Sequence, residues 1–364
     1  MTWIALADHT GQRFSPSGLG PEENGCRDDF RGSDALLAKG SLMIETRLSP
    51  DGKPQDLLTY GGCDGWLRAL TLQAIPGGGL TFVVAQNGEV THATILHKGS
   101  ARTDVVRIIY SWDAPQRWAR FAVEWPDGLN VHMASVPNPK PIPISDLQTL
   151  FLEPGKRHMS EDVVFFALSD MVEPLGPTPT LTPGVPVETA CGYRRAGDVK
   201  RGDLVLTEMA NLVPVLYALR RTVPARGSFA PVRLRAPYFG LQQDIVVAPD
   251  QRLVIRGSEV EYLFGREAVL VPARHLVNGT AALHEHALDT VSYCQLLLPG
   301  HEALIAAGTA AESFYIGRLR RKPDKLGASL LASVDRNALP EQGQAAYPVL
   351  KWFDAITLAE QRAA

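Results

Sequence analysis

Nucleophiles, proton donors and metal ligands are thinly spread along this 364-residue chain. Its four cysteines, Cys26, Cys63, Cys191 and Cys294, have no CxxC spacing, so neither a zinc knuckle nor a thioredoxin-type motif is present. Their wide separation is not a disulfide scaffold, and they read as free thiols. His284 and His286 flank Glu285 but lack a third convergent ligand, so no metal or other cofactor is expected. His275, in RHLVNG, reads as structural. There is no G-x-S-x-G, H-E-x-x-H or P-loop. Asp28, Asp29, Asp104 and Asp113 show no informative spacing for the paired carboxylates of a glycosidase. Trp66, Trp112, Trp118 and Trp125 are the candidate ligand-binding residues of the first half, as stacking surfaces for sugar rings; core packing is the competing reading for each.

The elements that must position these residues are strands. Apolar residues make up 45 % of the chain, an ordinary globular share, and the length suggests two domains. Lys plus Arg is 36 against 39 Asp plus Glu, a net charge of −3, which argues against nucleic-acid binding through bulk charge. The basic run Arg318, Arg320, Arg321, Lys322 reads as a solvated loop. No stretch approaches the ~20 apolar residues of a membrane span, and the N-terminus shows no Sec-type leader. The expectation is a soluble chain, cytoplasmic or exported by a non-Sec route.

The 32 glycines and 27 prolines fall between short apolar runs, the punctuation of an all-β chain. SLMIETRL (41–48) alternates with period two, and LTFVVAQ (80–86) and EVTHATIL (89–96) flank Asn87-Gly88, a hairpin signal. VVRIIYSWD (105–113), WARFAVEW (118–125) and EDVVFFALSD (161–170) continue the pattern, and no convincing helical period appears before residue 170. Strands at this spacing imply a sandwich or jelly roll. Residues 1–170 are assigned to it, and their strand order resembles concanavalin A/laminin-G-like jelly rolls. A proline-rich linker is expected over 171–186. Short strands rich in Val, Ile and Leu then resume, and YPVLKWFDAITLAEQRAA (347–364) carries a helical stripe at Val349, Leu350, Phe353, Ile356 and Leu358.

Several ordered blocks of the second half carry a resemblance. From Thr182 to Thr207 the chain reads TPGVPVETACGYRRAGDVKRGDLVLT. APVRLRA (230–236), QDIVVAPDQRLVI (243–255), EAVLVPARHLVNG (267–279) and VSYCQLLLPGHEALIAAGTAAESFYIG (291–317) follow in order. Together they resemble the bacterial Hint (hedgehog/intein) domain family over about 180–317, leaving 318–364 as a basic loop and C-terminal helix. The resemblance implies an all-β horseshoe and self-cleavage. A first-position Cys or Ser attacks the preceding carbonyl, and a histidine protonates the leaving amide nitrogen.

At the positions that matter this chain departs from the family. The first nucleophile falls on Thr180, the P-x-H histidine on Gln251, and the histidine after V-x-Y-x on Gln295. Only His301 is retained of the family-type histidines in the last block. A hydroxyl is a poor nucleophile without a nearby base, and glutamine holds a hydrogen bond but not a titrating proton. Cys191 is about eleven residues late for the nucleophile position and stands as the alternative to Thr180.

The reading is therefore all-β: an N-terminal jelly-roll or β-sandwich and a C-terminal Hint-type horseshoe with a short helical tail. Its expected function is non-catalytic binding of a surface or carbohydrate, with a degenerate Hint domain. Two alternatives stand beside it: self-splicing or autoproteolysis from Thr180 or Cys191 with His301 as base, and a structural subunit of a larger secreted or particle-like assembly. The expected partners are a glycan or cell-surface ligand, or further copies of the chain, and neither nucleic acid nor a membrane.

Overall fold

The computed structural model describes residues 3–20, 35–49, 52–64, 66–76, 78–86, 88–96, 105–126, 130–285 and 288–363. Asn87 of the hairpin signal, and Cys26, Asp28, Asp29, Asp104 and His286, lie outside them. The chain divides into two compact units, Met1–Pro174 and Leu175–Ala364.

The first unit is a β-sandwich. Among the described residues, one sheet has seven antiparallel strands in the order Val131–Pro137, Trp118–Glu124, Val105–Asp113, Lys39–Arg47, Val163–Ser169, Trp3–Ala7, Gln12–Phe14. The other has five, in the order Arg157–Met159, Gln55–Asp64, Trp66–Ile75, Gly79–Gln86, Glu89–Leu96. The last two pair as the expected hairpin, Gln86 opposite Glu89. Alternation explains the packing. Val106, Ile108, Tyr110 and Trp112 point from one face of their strand into the core, with Ala119, Phe121 and Val123 of the neighbouring strand. From the five-stranded sheet, Phe82 meets Tyr110 at 4.4 Å and Phe121 at 5.7 Å between ring centroids.

The seven-stranded sheet is buried on its other face too. The register sets Glu45, Arg107 and Glu124 side by side on three strands, and all three are at most 1 % exposed. Arg107 Nε lies 3.2 Å from Glu124 Oε1. This two-sided burial is why the strand Val105–Asp113 contains both apolar and charged residues without an exposed side.

One expectation for this unit fails. A helix spans Ile144–Leu152 and buries Ile144, Leu147, Leu150 and Phe151, spaced three, three and one apart. Prolines at 139, 141 and 143 precede it and Pro154 follows it, so its period is confined to nine residues and reads as loop.

The second unit is a curved assembly of short strands. Its main sheet orders Leu212–Pro214, Leu204–Leu206, Pro186–Thr189, Ala303–Ala306, Thr309–Glu312, Arg252–Arg256 and Ala268–Pro272, with Gly192–Arg195 hairpinned onto Pro186–Thr189. Tyr217–Pro224 pairs along its full length with Thr290–Leu297, and Val232–Leu234 sits between Ile245–Val247 and Ala282–His284. Leu181, Val187, Val205, Val247, Leu253, Val271, Leu296 and Leu304 form the common core. The proline-rich segment is part of this unit from Leu175 onward. Leu181 bridges Val247 and Cys294, and Leu181 and Val185 are core residues. A short helix over Ser258–Phe264, absent from the sequence reading, ends at Gly265, whose φ of +61° is the left-handed cap that glycine adopts freely. The basic loop at 318–325 is two helical turns, Leu319–Arg321 and Pro323–Gly327. The tail helix, Trp352–Ala363, buries Ala355 and Leu358, and Leu350 just before it is buried as well. Phe353, placed in the buried stripe by the sequence, is 69 % exposed.

Candidate functional site

Three side chains far apart in sequence meet where the domain's nucleophile and histidines are expected. Thr180 lies at the start of a short extended run between two strands. Its carbonyl accepts from Ala248 N (2.7 Å), and Leu181 and Cys294 exchange backbone hydrogen bonds of 3.1 and 2.7 Å. Gln251 follows the turn after Ile245–Val247, and Gln295 lies within Thr290–Leu297. Thr180 is therefore gripped by the two segments that carry its partners.

The hydrogen bonds form a closed knot. Thr180 Oγ1 donates to Gln251 Oε1 (2.6 Å) and accepts from Gln295 Nε2 (3.0 Å). Gln295 Nε2 also faces Gln251 Oε1 (3.1 Å) and the Glu312 carbonyl (2.9 Å). Gln251 Nε2 donates to the carbonyls of Arg252 (2.9 Å) and Glu312 (3.3 Å). The surrounding carbonyls fix both amide orientations, because a flipped amide would set oxygen against oxygen. Gln251 and Gln295 are 1 % and 2 % exposed, and Gln295 Oε1 accepts no hydrogen bond among the described residues. Both hydrogen bonds of the Thr180 hydroxyl go to amides, neither of which takes up a proton near neutral pH.

The other two candidates lie outside the knot. His301 reaches it only through Glu312. Its Nε2 is 3.0 Å from Glu312 Oε1, while Nδ1 accepts from Ala346 N at 2.8 Å. The ring lies 4.5 Å from that of Tyr315, its Nε2 makes no well-aligned hydrogen bond among the described residues, and Arg252 donates to the same Glu312 oxygen at 2.9 Å. Cys191 is exposed in the turn between Pro186–Thr189 and Gly192–Arg195, its amide donating to Thr189 Oγ1. Cys294 touches the site's backbone but faces the core, and burial pushes its thiol up to about 11.

Of the four candidate tryptophans, the three whose side chains are described do not converge. Trp112 is fully buried and donates its indole N–H to the Leu37 carbonyl at 3.0 Å, so it is a core residue and not a stacking platform. Trp118 and Trp125 stand seven positions apart along one extended segment, about 24 Å at strand rise, and on opposite faces. Arg120 covers the Trp118 ring at 5.5 Å, and Trp125 packs against the core and edge-on to His132 at 5.6 Å. The side chain of Trp66 lies outside the described residues. Beside the helix, Tyr60 donates to Asp146 Oδ1 (3.0 Å) and Arg68 Nε lies 2.9 Å from Asp146 Oδ2. The cleft there holds about 20 Å³, room for one water but not for a sugar ring. Among the described residues no group of three or more His, Cys, Asp or Glu converges to hold a metal.

The outer face of the five-stranded sheet is the surface that sequence reasoning missed. Register places His158, Thr59, Thr71, Val83 and His92 in one row across it, with Gln73, Thr81 and Thr94 in the next. Thr81 and Thr94 share a 3.0 Å hydroxyl contact, and Gln73 Nε2 donates to Asp56 (2.6 Å). Hydroxyls, amides and imidazoles thus line a face whose signal in the sequence was the polar half of each alternation.

Comparison with known proteins agrees with the geometry of the second unit. Residues 179–318 match the family model described as Hint domain, and this part of the chain is a Hint domain. Among solved structures, the MchDnaB-1 intein (N145AA) is 15 % identical over 37 % of this chain and 99 % of its own, with a TM-score of 0.25. The CBM40 of a Ruminococcus gnavus IT-sialidase, bound to alpha2,6 sialyllactose, is 13 % identical over 37 % of this chain and 78 % of its own, with a TM-score of 0.27. The LG1-3 region of the laminin alpha2 chain is 7 % identical over 86 % of this chain and 56 % of its own, with a TM-score of 0.25. Among curated proteins, none matches.

Proposed function

We propose that the chain is a non-catalytic binding protein whose Hint domain has kept its fold and lost self-cleavage. The observation that carries this reading is the knot at Thr180. An acyl shift needs the hydroxyl proton removed and the amide nitrogen protonated. Here the hydroxyl donates to one amide and accepts from another, and His301 makes no contact with Thr180: its Nδ1 accepts from Ala346 N and its Nε2 lies beside Glu312. Positioned acid–base groups contribute about 10²–10⁴-fold each, and this site supplies none at the reacting atom. The test is the intact mass after prolonged incubation with and without a thiol. One species near 39.6 kDa in both conditions supports the reading. Fragments from a cut between residues 179 and 180 overturn it.

The ligand-binding half on this reading is the N-terminal sandwich, and its ligand a carbohydrate or glycan-bearing surface. The outer face of the five-stranded sheet supports it, because rows of hydroxyl and amide groups match the hydrogen-bonding demand of sugars. Retention on immobilised polysaccharides, lost with Thr71→Arg and kept with Trp118→Ala, is the expected result. Loss with Trp118→Ala instead returns the site to the tryptophans.

A further inference from the structure

The main sheet of the Hint unit ends in an apolar strand that needs a cover. Ala268–Pro272, sequence AVLVP, is buried throughout. Its free edge is paired in parallel by the chain's own C-terminal segment. Leu270 N donates to the Pro348 carbonyl and Leu350 N to the Leu270 carbonyl, each at 2.8 Å, around a Leu270–Val349 bridge. Tyr347 packs on Val254, Ala268, Leu270 and Ala303, a small apolar cluster of that sheet.

The attachment is uneven. Before the segment, Gln342 is buried and firmly held, accepting from Ile316 N (2.8 Å) and donating to the carbonyls of Gly300 (3.2 Å) and Leu298 (3.4 Å). Residues 343–349 are exposed or half-buried. Gly343 has open space where a Cβ would stand, its nearest neighbour 4.0 Å away. Three hydrogen bonds latch this run, and beyond it Leu350, Ala355 and Leu358 sit in the core. Ala346 N donates to His301 Nδ1, and Tyr347 Oη accepts from Arg256 (2.8 Å) and donates to Glu208 (3.0 Å). An uncovered apolar edge strand pairs readily with another chain.

We propose that residues 346–363 are a releasable strap, hinged at Gly343 and latched by His301 and Tyr347, and that the vacated edge takes the strap of a second copy. The strap seen in place defines what the groove accepts: a parallel strand with Leu350 entering the core. His301, the one family-type histidine retained, thereby holds the tail instead of serving the knot. The proposal does not rest on the loss of cleavage.

The test uses the full chain carrying His301→Ala and Tyr347→Phe together. Hydrogen exchange at the Leu270 and Leu350 amides should quicken roughly tenfold or more for the three lost hydrogen bonds, with Leu181 and Cys294 unchanged. Sedimentation should show a concentration-dependent dimer. A dye-labelled peptide of residues 345–360 should bind the variant and not the parent chain. Unchanged exchange, or a variant that stays monomeric and ignores the peptide, overturns the proposal. Should exchange rise everywhere, Tyr347→Phe alone decides, because it keeps the ring on its apolar cluster. Local quickening at Leu270 then supports the strap, and none refutes it.

Discussion

The two glutamines of the knot look equivalent in sequence but should respond very differently to the same substitution. Gln251→Leu removes the oxygen that accepts from the Thr180 hydroxyl and from Gln295, and the donor that reaches the Arg252 and Glu312 carbonyls. Gln295 Nε2 keeps Thr180 Oγ1 and the Glu312 carbonyl, but the half-buried Thr180 hydroxyl loses its acceptor and the Arg252 carbonyl loses its side-chain donor. Two such losses at about 1–3 kcal/mol each give a destabilisation of about 2–6 kcal/mol. Gln295→Leu removes donations worth about 1–2 kcal/mol and also a buried oxygen that accepts nothing, a relief of similar size. Its net effect should lie within about 1 kcal/mol of zero. The readout is native-state hydrogen exchange at the Leu181 and Cys294 amides, which bond reciprocally beside the knot and report on this unit alone. Gln251→Leu should accelerate them by about 30-fold or more, at tenfold per 1.4 kcal/mol, and Gln295→Leu by less than about fivefold. If Gln295→Leu proves as costly as Gln251→Leu, the Gln295 oxygen is satisfied in solution and the reasoning fails.

Burial, with Arg274 beside it, lowers the pKa of His275 from the ordinary histidine range to about 4. Unfolded chain therefore takes up the proton first as pH falls, so stability should drop between about pH 6.5 and 4, by about 1–2 kcal/mol after discounting for partial exposure. His275→Gln should flatten that part of a stability–pH curve; an unchanged curve assigns the loss elsewhere. Cys191 is exposed and Cys294 buried with its thiol pushed up to about 11, so maleimide at pH 7.5 should modify the Cys191 peptide within minutes and spare Cys294 until denaturant is added. Prompt modification of Cys294 would show that the knot opens readily. In the sandwich, Trp112→Ala should cost about 3–5 kcal/mol and Trp118→Ala under about 1 kcal/mol, measured by thermal unfolding of the first unit. Equal effects would contradict the packing assigned to Trp112.

Strand positions were readable because alternation is local, as in Val105–Asp113. What that alternation could not reveal was that both faces of this strand are buried, so Trp112 reads equally as core or as surface. The helix Ile144–Leu152 was hidden by its brevity and its flanking prolines. Thr180, Gln251 and Gln295 came together only through the block resemblance, since 71 and 115 residues separate the hydrogen-bonded pairs and no periodicity spans such gaps. The tie from His301 runs to a backbone amide, which has no residue identity to read. The same holds for the strap: its pairing at Leu270 depends on main-chain groups, while its sequence shows only a helical stripe.

If self-cleavage is lost as proposed, the choice of residues in the knot explains how that loss leaves the domain folded. The Glu312 and Arg252 carbonyls need donors, and a buried site that loses them loses stability. An imidazole can supply such a donor, but it also titrates near neutrality. A glutamine amide supplies both a donor and an acceptor over a similar reach and does not titrate. Threonine at position 180 likewise donates once and accepts once, completing the circuit. Apolar replacements at 251 would have emptied that circuit, as the Gln251→Leu experiment is designed to show. The polar satisfaction of the site and its acid–base chemistry are therefore separable. On the proposed reading, the first is kept here by side chains that do not titrate near neutrality.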